Sequence, residues 1–160
     1  MARFHLQESE IHYATGRYMA YPKLSHSFEV EDVCDVVRLN YRRRIKFYNG
    51  DAELASGIEL YAASGHSAGL QFARVNTARG WVVVASDASH YYENMEKNRP
   101  FVSAFDVGKM LDGFRTLERL AASPAHIVPG HDPLVLARYP APSPLVKDVV
   151  VRLDVDPANA

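Results

Sequence analysis

The sequence predicts a mixed α/β (α+β) domain, and three observations carry that prediction. The chain has 160 residues, 48% of them hydrophobic, which is the size and apolar content of one globular core. Two segments place apolar residues at helical spacing, Val33, Val36, Val37 and Tyr41, then Val107, Met110, Leu111, Phe114, Leu117 and Leu120. Short runs rich in β-branched and aromatic residues read as strands beside them.

Each element follows from its residues. "RFHLQ" alternates and predicts a strand. "ESEIHYATGRYMA" has helical spacing with Gly16 as a break, and "YPKLSHSFEV" is loop-like. "VEDVCDVVRLNYRRR" predicts a helix, with acids at its front and arginines at its back to suit the helix dipole. "IKFY" and "ELASGIELYAA" predict strands, with Asn49-Gly50 turning between them. "GLQFARVNTARGWVVVASD" predicts a hairpin around Ala78-Arg79-Gly80, and "WVVVA" is apolar enough to be buried on both faces. "DVGKMLDGFRTLERLAA" predicts an amphipathic helix that Pro124 cannot let continue. "HIVPGHDPLV" reads as a short strand running into a loop. Residues 1–138 hold these elements; residues 139–160 predict a proline-rich connection, an edge strand and a frayed tail.

Composition excludes several classes. The net charge is -1, without the basic excess of a nucleic-acid binder. No apolar run approaches membrane-spanning length, and "MARFHLQESE" lacks the layout of a signal peptide. Cys34 is the only cysteine, so no internal disulfide forms, and a cytoplasmic, reducing location is expected.

Three residues share one topological address. His66 follows the strand "IELYAA", Asp87 follows "WVVVA", and His131 follows "HIV". Each lies just past a strand's carboxyl end in a small-residue context: Gly65-His66, Ser86-Asp87-Ala88, Gly130-His131. A rigid sheet positions such loops, and glycine beside a ligand allows close approach. Two imidazoles and a carboxylate suit zinc or a similar divalent ion. Read singly, each is also an ordinary polar loop residue.

Together, "GDAELASG" (Gly50 to Gly57), "GHSAGLQ", "ASDAS", Glu93-Asn94-Met95 and "PGHD", in this order, resemble the metallo-β-lactamase-fold hydrolases, and within them the N-acyl homoserine lactone lactonases. The resemblance covers nearly all of residues 2–138. It implies a partial αββα sandwich, in which residues 1–138 are the C-terminal part of the domain. It implies that His66 completes the first zinc site, that Asp87 bridges two zincs, and that His131 binds the second. A metal-bridged hydroxide would open a small-molecule lactone, the chemistry of quorum quenching.

The sequence departs from the family pattern in three places. The family places a tyrosine three residues after the bridging aspartate, as a hydrogen-bond donor to substrate. Here His90 stands there, followed by Tyr91 and Tyr92, so these three are the expected substrate-binding residues and His90 joins Asp87 as catalytic. Leu70 replaces a histidine that is not a ligand. The family's H-x-H-x-D-H motif is absent from these 160 residues. The abrupt start therefore predicts the C-terminal part of a longer enzyme. Two protein ligands per metal, where catalytic zinc normally has three, predict weak or absent zinc binding and no activity in this chain alone.

The strand "WVVVA" and the inner face of the 107–120 helix are then expected to lie uncovered, favouring a homodimer through that face. "YRRRIKF" reads as a solvated helix end, His126 as structural, Cys34 as a buried thiol, and "HYYENM" as a wall of the substrate pocket. Two alternatives to the lactonase stand: a thioester or phosphoester hydrolase of the same fold, and a non-catalytic binding module.

Overall fold

The computed structural model of the chain describes residues 2–158. In chain order these form β1 (Phe4–Gln7), α1 (Glu8–Ala14), a 3-10 turn (Arg17–Ala20), α2 (Pro22–Ser25), α3 (Val30–Tyr41), β2 (Ile45–Tyr48), β3 (Ala52–Ala55), β4 (Ile58–Ala62), β5 (Gln71–Thr77), β6 (Gly80–Val84), α4 (Tyr92–Glu96), α5 (Val107–Leu120), β7 (Ile127–Val128) and α6 (Leu134–Arg138). Further 3-10 turns lie at Ser86–Ala88, Pro124–His126 and Pro144–Val146. Among the described residues no helix is long and apolar enough to cross a membrane.

The strands make two sheets. β1 and β2 pair in parallel, and β3-β4-β5-β6-β7 form a five-stranded sheet in sequence order. Pairing is antiparallel from β3 to β6 and parallel between β6 and β7. Consequently β4, β6 and β7 all run the same way, and the loops that follow them leave the sheet at one end.

Gln7, buried, joins the two sheets. Its Nε2 donates to the Gly50 carbonyl at 3.0 Å, its Oε1 accepts the Gly50 N–H at 3.0 Å, and its Nε2 reaches Gln71 Oε1 at 3.2 Å. Gln71 in turn donates to the His5 carbonyl. The amide thus stands in for a strand partner where the Asn49-Gly50 bend carries the chain from one sheet to the other, rather than closing a hairpin. The hairpin in this region is β3–β4, about Ser56-Gly57.

The core has two sides. On one face of the large sheet, Phe72, Val83 and Ile127 pack against Met110, Phe114, Leu117 and Leu120 of α5. On the other, Val82 and Val128 meet Tyr139, with Val151 and Leu153 of the C-terminal segment against them. Val82 and Val83 are 1% and 0% exposed, so β6 is buried on both faces as its sequence predicts. This corrects one expectation: "WVVVA" and the inner face of α5 are not left open, because they cover each other and the C-terminal segment covers the reverse side.

Other expectations are corrected as well. No strand forms near Val149–Leu153. The segment packs its alternate residues inward, but its backbone bonds go elsewhere: Arg152 N–H to Pro140 O, and Leu153 O to the Arg79 guanidinium. Asp148 adopts φ 64°, which breaks an extended run. "YPKLSHSF" contains the short helix α2, with Pro22 in its first turn, and α6 replaces the loop expected after "PGHDP". Cys34 is half-buried rather than buried, since α3 presents no fully buried residue and exposes Val30, Val37 and Tyr41.

Candidate metal centre

Strand direction brings the site together. β6 and β7 are adjacent, about 4.8 Å apart, so the loops carrying Asp87 and His131 meet at once. β4 lies one strand further off, beyond β5, and its loop must fold back to reach them. The distances follow this order. His131 Nε2 donates to Asp87 Oδ1 at 2.6 Å, while His66 stands outside that contact, its ring 5.4 Å from that of His90.

The β6 and β7 loops are fastened by backbone. The Gly130 N–H donates to Ser89 O and the His131 N–H to His90 O, each at 2.9 Å. A Cβ on Gly130 would lie 2.6 Å from the Ser86 carbonyl, so only glycine lets the chains cross here. Asp132 adds a clamp: its carboxylate accepts the N–H groups of Tyr92 and Leu134, at 3.0 and 2.9 Å, tying the starts of α4 and α6 to one side chain.

The His66 loop is held from below and behind. Gly65 lies against α5, where a Cβ would meet Met110 backbone at 2.7 Å. The Gly65 carbonyl accepts the N–H groups of Phe105 and Asp106. Glu10 of α1 accepts Ser67 Oγ and the Gly69 N–H, both at 2.7 Å. Glycines on both sides of His66 thus let its loop press onto one helix while a second helix grips it.

Asp87, His90 and His131 each offer a donor atom, and these atoms lie within 4.8 Å of one another. His90 Nε2 is 3.3 Å from Asp87 Oδ1 yet out of line for a hydrogen bond, and it is buried without a partner. His66 Nδ1 is likewise buried and unpartnered. Burial lowers the pKa of His90; the Asp87 carboxylate opposes this, and the neighbouring His131 and His66 reinforce it. His90 stacks flat on Phe101, centroids 3.6 Å apart and planes 11° apart.

Beside the donors opens a cleft of about 160 Å3 lined by His66, Asp87 and, on its apolar walls, Tyr13, Leu24, Phe28 and Phe105. Tyr13 packs edge-on against both Phe28 and Phe105. Tyr91 is exposed, with its N–H bonded to Asn94 Oδ1. Tyr92 points away from the cleft into the core, under the Arg138 guanidinium.

The chain is 33% identical over 114 residues to an N-acyl homoserine lactonase of a Bacillus species, a match covering 70% of this chain and 44% of that protein. A Bacillus cereus N-acyl homoserine lactonase is 35% identical over 101 residues, covering 62% and 38%. No family model matches. Among solved structures, an N-acyl homoserine lactone hydrolase with N-hexanoyl-L-homoserine at its catalytic metal centre superposes with a TM-score of 0.63 at 28% identity, over 80% of this chain and 46% of that one. A quorum-quenching N-acyl homoserine lactone lactonase gives the same score over 48% of its chain.

The chain carries part of the metallo-β-lactamase fold.

It spans less than half the length of the lactonases it matches. Within this metallo-β-lactamase-type chain, residue types and order pointed to His66, Asp87 and His131, and the family resemblance pointed to His90. The supports were not legible in the same way. Glu10 and Gln7 act across more than 40 residues of sequence, and Phe101 sits in a stretch without periodicity. Asp132 could have been noticed, as an aspartate before Pro133 at a helix start.

Proposed function

We propose that the protein is a metal-dependent hydrolase that opens a lactone of the N-acyl homoserine type, with zinc at the site built on Asp87. The observation that carries this reading is the meeting of Asp87, His90 and His131 at one sheet end, with His66 and an apolar-walled cleft alongside. The donors fit a divalent ion: imidazole nitrogen and carboxylate oxygen suit zinc, and two buried ring nitrogens have no other partner. When bound, zinc supplies Lewis acidity toward a carbonyl oxygen and activates water.

The chain's own residues do the rest. Asp87 and His131 are fixed in contact by the loop bonds and present the charge and nitrogen that would hold the ion. His66, held by its glycine-framed loop, lines the cleft where a carbonyl would lie. Tyr13, Leu24, Phe28 and Phe105 give an apolar wall suited to an acyl chain. Hydrolysis adds water across the ring ester: the acyl C–O bond breaks, leaving a carboxylate and a free hydroxyl.

The test is ring opening of N-hexanoyl homoserine lactone by the full product of the gene, loaded with zinc. Turnover is expected, falling at least about a hundredfold in Asp87→Ala. Hydrolysis of a thioester or phosphoester with the lactone untouched would replace the substrate. Zinc binding with no hydrolysis of any of the three would make this a binding module.

A further inference from the structure

We propose that His90 is itself a metal ligand, so that Asp87, His90 and His131 form a three-donor site for one divalent ion within this chain. This rests on reading the site as a metal centre, and not on a lactone being the substrate.

The spacing fits. Two ligands on one tetrahedral zinc, with bonds of about 2.0–2.1 Å, stand roughly 3.4 Å apart. Asp87 Oδ1 and His90 Nε2 are 3.3 Å apart. The His131–Asp87 contact is shorter, at 2.6 Å, and an opening of roughly 0.8 Å would convert it to shared ligation.

A hydrogen bond does not account for the His90–Asp87 approach. The ring nitrogen is near the carboxylate but misaligned for a hydrogen bond, and it is buried with no partner. Ion pairs to Asp87 among the described residues come only from His90 and His131, with no lysine or arginine. A carboxylate faced by two imidazoles is a charge arrangement that a cation completes.

The ring is also held in place. Phe101 fixes its plane by stacking, and the His90 carbonyl receives the His131 N–H. The two imidazoles therefore keep a set relation, with centroids 4.6 Å apart and planes 65° apart. Three protein donors with an open side is the pattern of a catalytic rather than a structural ion. The same two-imidazole, one-carboxylate set also serves iron(II), so the probe should be neutral between them.

Cobalt(II) titration of the 160-residue chain, followed by visible absorption and then by zinc displacement, tests the proposal. One ion per chain is expected. His90→Phe keeps the stack on Phe101 and should weaken binding by at least about a hundredfold, since loss of a mere outer partner already costs roughly 10–100-fold. His66→Ala should leave affinity within about threefold.

A second readout guards against misfolding. In wild type labelled with nitrogen-15 histidine, zinc should shift the His90 Nε2 resonance directly. Unchanged affinity in His90→Phe, an unmoved His90 resonance, no binding in wild type, or two ions that both require His66 would overturn the proposal. Failure of lactone turnover with this binding pattern intact would overturn the substrate assignment alone.

Discussion

Tyr92 keeps its ring in the core and its hydroxyl without a hydrogen-bond partner, with the Arg138 guanidinium over the ring face, 4.0 Å from its centroid. Burial pushes its pKa up to about 12, with the nearby Tyr139 adding to the effect. The unfolded chain releases this proton near pH 10, the ordinary value for tyrosine, so the unfolded state gains as pH rises above that point. The stability tied to a neutral Tyr92 is therefore complete below about pH 10 and declines from there toward 12. Tyr92→Phe should melt no lower than wild type at neutral pH, because it removes an unsatisfied buried hydroxyl. It should also lose less stability between pH 10 and 12, which thermal melts across that range would show. A variant that tracks wild type at every pH would place the alkaline sensitivity on other tyrosines.

At the scale of elements, each loop of the site borrows its shape from an element far away in sequence. Glu10 on α1 holds Ser67 and the Gly69 amide with one carboxylate oxygen. Glu10→Ala should cost about 1.5–3 kcal/mol, the usual range for hydrogen bonds to a charged group, read by chemical denaturation. It should also broaden the His66 ring resonances while leaving those of His131 sharp, since His131 is tied to a different loop. This separation explains what could be read in advance. Periodicity exposed α3, α5 and the β5–β6 hairpin, and strand ends singled out His66, Asp87 and His131. The edge strand expected near Val149–Leu153 does not form: Val151 and Leu153 pack inward while Val149 and Val150 stay exposed, and Arg79 takes the Leu153 carbonyl. The role expected of His90 came from family position; its closeness to Asp87 depends on the 3-10 turn at Ser86–Ala88, which residue type alone does not signal.

At the scale of the molecule, the C-terminal segment is part of the core rather than an appendage. Arg79, in the β5–β6 turn, sends its guanidinium to Leu153 O, Ala125 O and Tyr139 Oη, and its side chain is only 5% exposed. Its pairing with the exposed Asp156 adds little by comparison. Arg79→Ala should lower stability by about 2 kcal/mol or more, as Leu153 O and Tyr139 Oη lose the guanidinium N–H groups and Ala125 O keeps only the Tyr139 hydroxyl. It should also make Lys147 and Arg152 cleave faster with trypsin. Equal cleavage rates in variant and wild type would mean that Val151 and Leu153 hold the segment without help.

The Gln7 amide has a different consequence. Because its Nε2 also reaches Gln71 Oε1 while Gln71 Nε2 donates to the His5 carbonyl, the small sheet cannot part from the large one without breaking these two side-chain amide bonds. Deuterium uptake at the Gln7 and Gln71 side-chain amides therefore reports how often the two sheets come apart. Uptake as slow as in β6 would mean that they open only when the whole chain unfolds. Faster uptake would mean that β1 and β2 open and close as a unit of their own, taking with them the start of α1 and its grip on the His66 loop.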